Sequence, residues 1–238
     1  LAAEEVNETG SVLIIVNTKA AAKNIYKCCT DNVKDAKIFH LSTNMCPAHR
    51  MNILNEVRSC LDLENPQKVI CVSTQLIEAG IDIDFGTVIR SLAGLDSIAQ
   101  AAGRCNRNNL RGRQGRVFII NLQNENISML PDVLMGQEKA MTILDDFKDN
   151  PASLNNDLLG PDAMSRYYTY YFFNRAKDMS YTLEKEQLGR DGDILTLLSS
   201  DKEAEQIYSR KFKESPPFLL RQSFRSAGEA FKLIDAPT

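Results

Sequence analysis

The stretch Val72-Ser73-Thr74-Gln75-Leu76-Ile77-Glu78-Ala79-Gly80-Ile81-Asp82-Ile83-Asp84 holds the residue types of a ligand-facing turn. An apolar run passes into Thr74 and Gln75, which place a hydroxyl and an amide where a strand's carboxyl end meets a ligand. Gly80 permits close backbone approach, and Asp82 has the acceptors that ribose hydroxyls need. Further on comes Gln100-Ala101-Ala102-Gly103-Arg104-Cys105-Asn106-Arg107. Arg104 and Arg107 are three residues apart, a spacing that puts both on one side of a helix end. Each guanidinium offers a rigid fork matched to phosphate oxygens, so a pair aimed at a γ-phosphate would stabilise the charge of phosphoryl transfer. Paired arginines also bridge neighbouring carboxylates, and Gly-x-Asp is common in loops, so each segment alone leaves a purely structural reading open.

The elements around these segments alternate. Residues 12–16 are a β-branched and aliphatic run suited to a strand buried on both faces. Thr18 is a candidate cap for a helix over 19–29. Lys37–Leu41 reads as a second strand, and Pro47 starts a helix to about residue 63 with Ile53, Leu54, Val57 and Leu61 on one face. Strands follow at 68–73, 87–91 and 116–122, with a helix at 95–105. This pattern predicts an α/β fold, a parallel sheet with helices on both faces, whose ligand-binding loops lie at the strands' carboxyl ends. From about residue 125 the chain favours helices, at 137–147, 162–177, 202–212 and 222–234. We therefore expect one domain over 1–124 and a mostly helical accessory region over 125–238.

Charge narrows the partners. Net charge is −3, and 125–238 holds 14 basic against 19 acidic residues, so it is no general DNA-binding surface. Arg104, Arg107, Arg111, Arg113 and Arg116 fall in one stretch without an acidic residue, which would draw a phosphate-bearing partner or simply be a solvated loop. No apolar run is long enough for a membrane span, and no basic, apolar start marks a signal peptide. The six cysteines form no Cys-x-x-Cys pair, which points to reduced thiols, and two scattered histidines, His40 and His49, make a metal cluster improbable. The aromatic cluster Tyr167, Tyr168, Tyr170, Tyr171, Phe172 and Phe173 reads as core with one or two exposed tyrosines, or as a stacking platform for bases flanked by Arg166 and Arg175. Without Met at position 1, and with no evident terminal element at Thr238, the chain reads as a piece of something longer.

In this order and on this pattern, the two segments resemble motifs V and VI of superfamily 2 helicases. The second motif there reads Gln-Arg-x-Gly-Arg-x-x-Arg; Gln100, Gly103, Arg104 and Arg107 match, and Ala101 departs. More narrowly, 74–85 and 95–107 resemble the CRISPR-associated type I helicase-nuclease family, as does Ser42-Thr43-Asn44-Met45-Cys46-Pro47-Ala48-His49-Arg50 between motifs IV and V. Arg166-Tyr167-Tyr168, Leu188-Gly189-Arg190-Asp191 and Pro217-Phe218-Leu219-Leu220-Arg221-Gln222-Ser223-Phe224 resemble the region after the motor in subtype I-C members.

The resemblance implies a second RecA-like lobe in 1–124. It makes Arg104 and Arg107 arginine fingers with Gln100 beside the γ-phosphate, and brings Glu78, Gly80, Asp82 and Gly103 to ATP. Thr74, Gln75, Asn17, Thr18, Ser42, Thr43 and Arg50 would line a single-stranded DNA track through contacts that carry no sequence information. Implied partners are single-stranded DNA, a first RecA-like lobe and an HD nuclease domain of the same parent chain, and a CRISPR surveillance complex in a prokaryotic cytoplasm. ATP and Mg²⁺ would serve the parent protein. The chain has no Gly-x-x-x-x-Gly-Lys-Ser/Thr, no acidic Mg²⁺-holding run and no His-Asp pair, so the fragment alone is expected to be inactive. Another superfamily 2 RNA or DNA helicase, or a non-catalytic protein-interaction lobe, are the alternatives.

Overall fold

The computed structural model describes residues 1–78, 81–107, 109, 112, 114–175, 180–183, 192–199, 202–217 and 223–231. Five strands form one parallel sheet: β1 (Ser11–Val16), β2 (Lys37–Leu41), β3 (Val69–Thr74), β4 (Thr87–Ser91) and β5 (Arg116–Ile120), in the order β2-β3-β1-β4-β5. β1 is central and all six of its residues are buried. Its side chains alternate between two cores. Leu13 and Ile15 join Leu54, Val57 and Cys60 of α3 (Pro47–Leu61) on one face. Val12, Ile14 and Val16 join Val6 of α1 (Ala2–Thr9) and Ala22 and Cys29 of α2 (Lys19–Asn32) on the other. A strand apolar over residues 12–16 is thus what a sheet covered on both sides requires. The architecture is RecA-like.

Local chemistry sets the element ends. Thr18 accepts from the Ala21 amide at 3.2 Å and caps α2, and Pro47 occupies the first turn of α3, where a missing N–H is harmless. Helix α1 lies outside the elements read from the sequence. Its C-cap Gly10 has φ +77°, a conformation that favours glycine, and Glu5, though buried, accepts from Thr87 Oγ1 at 2.9 Å. Helix α5 (Pro131–Asp149) also starts earlier than expected, because Pro131 suits a first turn.

Helix α4 (Leu95–Ala102) ends at Ala102 and not at residue 105. Past it the backbone pairs with the segment before β4: Phe85 N–H donates to Arg104 O, and Asn106 N–H to Phe85 O, both at 2.9 Å. A third core packs Leu95 and Ile98 of α4 against Ala140 and Ile143 of α5 and Ala163 and Tyr167 of α6 (Pro161–Arg175). At its centre Tyr167 Oη donates to Asp96 Oδ1 at 3.1 Å. Burial and the neighbouring Asp96 carboxylate push the Tyr167 phenol well above its usual range.

By contacts the chain forms two compact units, Leu1–Tyr171 and Phe172–Thr238. In the second, a short hairpin of β6 (Thr182–Leu183) and β7 (Gly192–Asp193) leads into α7 (Ile194–Leu198), followed by α8 (Lys202–Phe212) and α9 (Phe224–Ala230). Leu183, Leu197, Ala227 and Ala230 form its small core. The motif-like phrase 188–191, and 218–222 of the phrase that follows, lie outside the described residues.

Candidate functional site

Because the sheet is parallel and in register, its strands end together at Val16, Leu41, Thr74, Ser91 and Ile120. Six of the sequence-predicted strand-contacting residues, Asn17, Thr18, Ser42, Thr43, Thr74 and Gln75, gather at this edge. Thr43 and Gln75 are exposed and Thr18 is half-buried, whereas Asn17, Ser42 and Thr74 are buried. The Ser42 hydroxyl accepts from the Asn44 amide at 3.2 Å, and Lys19 Nζ donates to Asn44 Oδ1 at 2.8 Å. Arg50 stands at the rim of the same region. It lines a cavity of 290 Å³ with Leu41, Pro47, Met51, Leu54, Leu76 and Ile81.

The arginines lie elsewhere. Since α4 returns from the carboxyl end of β4, Arg104 and Arg107 come back beside Phe85, just ahead of the β4 start. They do not share a helix face, because the helix has ended and Asn106 takes φ +46°. Arg104 turns onto the 3₁₀ turn Gln75–Ile77 and its exit. Its Nε donates to Ile77 O at 3.3 Å and its Nη2 to Glu78 O at 2.8 Å. Arg107 is exposed and pairs with Asp82, Nη1 to Oδ1 at 3.3 Å, while its backbone N–H donates to Asp84 Oδ1 at 2.8 Å. The structure therefore brings both arginines to the 75–84 segment, through different partners. Gln100 and Gly103 are exposed beside them. Gly80 lies outside the described residues, as do Arg111 and Arg113. Arg116 pairs with Glu5 and Glu8 of α1.

Glu78 faces inward. Its carboxylate meets Arg90 Nε at 2.8 Å, with the two side chains 5% and 0% exposed. Burial pushes the Glu78 carboxyl above its usual range while Arg90 opposes that shift. Arg90 Nη1 also donates to Asn17 Oδ1 and to Ser91 O, each at 2.8 Å. Asn17 Nδ2 in turn donates to Leu92 O and to Glu125 Oε2, each at 2.9 Å. Glu125 Oε1 accepts the backbone N–H groups of Asn17 at 2.7 Å and Thr18 at 2.8 Å. Arg90 and Glu125 escaped the sequence reading. The one available signal was an arginine inside the apolar strand Thr-Val-Ile-Arg-Ser, since a buried charge demands a partner.

Of the aromatic cluster, Tyr167 is buried and Tyr171 packs against the third core. Tyr168, Tyr170, Phe172 and Phe173 are 38%, 37%, 41% and 82% exposed, so only two of the six aromatics serve the core and the exposed set includes both phenylalanines as well as two tyrosines. Among the described residues no helix is long and apolar enough to cross a membrane.

Residues 8–110 match the model of a family described as CRISPR-associated nuclease/helicase Cas3, C-terminal. That span contains the 75–84 segment and both arginines. The chain is 51% identical over 51 residues to a CRISPR-associated nuclease/helicase Cas3 of Haloferax volcanii, covering 21% of this chain and 5% of that protein. It is 30% identical over 115 residues to the protein of that name from Streptococcus thermophilus, covering 47% and 12%. The chain thus spans a small fraction of these relatives' length. In fold it resembles the crystal structure of T. fusca Cas3, with a TM-score of 0.54, 19% identity, and coverage of 74% of this chain and 23% of that one. The AMPPNP form of T. fusca Cas3 is equally similar, with a TM-score of 0.54, 20% identity and the same coverage.

Proposed function

We propose that residues 1–124 are the second motor lobe of an ATP-dependent DNA helicase and translocase of the CRISPR-associated type I kind, subtype I-C, with 125–238 as its accessory region. The observation that carries this reading is the docking of Arg104 and Arg107 on the 75–84 segment, which makes one surface of the two matched motifs. Gln100, Gly103 and Arg107 are exposed there and fit the edge of a polyphosphate. Arg104 is half-buried, with a fork that carbonyls hold until a phosphate oxygen competes for it.

In the parent protein a first lobe would supply the phosphate loop and the Mg²⁺ ligands. Arg104 and Arg107 would then stabilise charge on the transferring phosphoryl group, a contribution of about 10³ or more in turnover. Asp82, exposed and already paired with Arg107, would orient that guanidinium and accept from a ribose hydroxyl. Glu78 works from inside, holding the turn through Arg90. Thr18, Thr43, Gln75 and Arg50 would touch the DNA backbone, with Asn17, Ser42 and Thr74 shaping the edge beneath them. Single-stranded DNA, the HD nuclease domain and a CRISPR surveillance complex in a prokaryotic cytoplasm are the partners this reading brings.

The test uses the intact parent protein. Arg107→Ala should lower DNA-stimulated ATP turnover by about 10³ with ATP affinity changed far less, since the other lobe holds most of the nucleotide. Arg107→Lys should rescue poorly because a point charge lacks the bidentate fork. Turnover of Arg107→Ala within a few-fold of wild type would overturn the finger assignment. A parent chain with no nucleotide turnover would leave only the interaction-lobe alternative.

A further inference from the structure

We propose that Glu125 is a positioning residue that locks the β1–α2 turn to the buried Arg90–Glu78 pair, so that the DNA-facing edge and the arginine-bearing segment move as one. This rests on the helicase reading above.

Glu125 lies beyond β5, outside every matched motif, yet its carboxylate bonds to Asn17, Thr18 and Ser91 at the DNA-facing edge. Oε1 takes the Asn17 and Thr18 amides. Oε2 takes Asn17 Nδ2 at 2.9 Å and the Ser91 hydroxyl at 2.5 Å. These four donors fill a carboxylate's acceptor sites. From Asn17 the contacts continue inward. Arg90 bonds Asn17 and pairs with Glu78, and Glu78 offers its own carbonyl to Arg104. A continuous set of protein contacts therefore runs from Thr18 to Arg104, with two carboxylates and a fully buried guanidinium in the middle.

Such a chain tolerates little slack. Arg90 is 0% exposed, and withdrawing a partner from a buried charge is far more damaging than weakening an exposed pair. If DNA shifts the Asn17–Thr18 turn, Glu125 and Asn17 must follow, and Arg90 with them. Glu78 then carries the displacement into the turn whose carbonyls restrain Arg104. The reverse holds when a phosphate draws Arg104 away.

Glu125→Gln tests this without changing side-chain size. Whichever way the amide lies, an NH₂ replaces one acceptor oxygen and faces N–H or O–H donors. In the intact parent protein, turnover is measured with and without saturating oligothymidylate, together with thermal melting. The expected result is DNA-free turnover within about twofold of wild type and a DNA-stimulation ratio reduced by about tenfold, a typical coupling between sites. Ser91→Ala, which removes one donor to Oε2, should lower the same ratio by a smaller factor.

A lowered melting temperature with the stimulation ratio intact would make Glu125 a plain cap of the turn and overturn the inference. A parallel fall of DNA-free and DNA-stimulated turnover would overturn it equally. If wild-type turnover ignores DNA, the helicase reading falls as well. If wild type is stimulated and Glu125→Gln matches it, only this inference fails.

Discussion

Arg104 and Arg107 carry the same chemistry in the sequence and have unequal surroundings in the folded chain. Arg107 forms an ion pair with Asp82 in which the side chains are 51% and 87% exposed; such pairs contribute about 0–1 kcal/mol. Arg104 is half-buried and gives two charged hydrogen bonds to carbonyls of the 75–78 turn, and bonds of that kind contribute about 1.5–3 kcal/mol. In the 238-residue chain, Arg104→Ala should therefore destabilise by roughly 1–3 kcal/mol and Arg107→Ala by less than about 1 kcal/mol, measured by denaturant melts. Equal losses would mean that the Arg104 contacts contribute nothing. The Gln-x-x-Gly-Arg-x-x-Arg spacing singles out both residues as candidates. Their separate directions were not legible in it, because α4 is cut short by pairing between Phe85 and residues 104–106, and a contact across that distance leaves no local signature. Asn17 shows the same limit. Its place after β1 marks it as an edge residue, but its burial depends on Arg90 and Glu125, which come from distant parts of the chain.

At the scale of elements, the sheet was readable because β1, β3 and β4 are buried throughout, which leaves apolar runs too short for helices and bounded by caps and prolines. Helix α1 carries Glu5 facing inward to Thr87 and Arg116, a polar anchor that no apolar periodicity reveals. The joint between α4, α5 and α6 was also hidden, since it depends on two glycines. A Cβ on Gly94 would collide with Tyr167 Oη and Asp96 Oδ1, and one on Gly136 would come within 3.0 Å of Gly94 Cα. Tyr167 is enclosed by the third core and has nowhere to retreat. Gly94→Ala should therefore cost about 1–3 kcal/mol as overpacking, although glycine at that position needs no unusual φ. The double variant Gly94→Ala with Tyr167→Phe should recover part of the loss, because the phenol oxygen is the nearest obstacle. Equal stability of Gly94→Ala and wild type in a melt would show that α5 and α6 do not clamp the start of α4.

At the scale of the whole molecule, charge and the motifs of the sequence set the expectations for the 238 residues on their own. Net charge is −3; beside the strand-end edge Lys19 donates to Asn44 and Arg50 lines the cavity, while Arg90 is buried against Glu78 and Asn17. Arg116, from the basic segment, is taken by Glu5 and Glu8. One or two phosphate contacts are then available. For a single strand each displaces about 0.7 of a counterion, so affinity should fall only about three- to sevenfold between 50 and 200 mM salt. Contacts to hydroxyls, amides and backbone phosphates carry no base readout, so thymidylate and mixed-sequence oligonucleotides should bind alike. The same preparation should show no ATP hydrolysis above buffer with either DNA, because a phosphate-cradling loop and Mg²⁺-holding acids are absent from the sequence. Fluorescence anisotropy across a salt series and a coupled ATPase assay check both expectations. Sequence-selective binding, a salt slope several times steeper, or DNA-stimulated hydrolysis by the 238-residue chain would each contradict the assignment of this chain to half of a two-lobed motor.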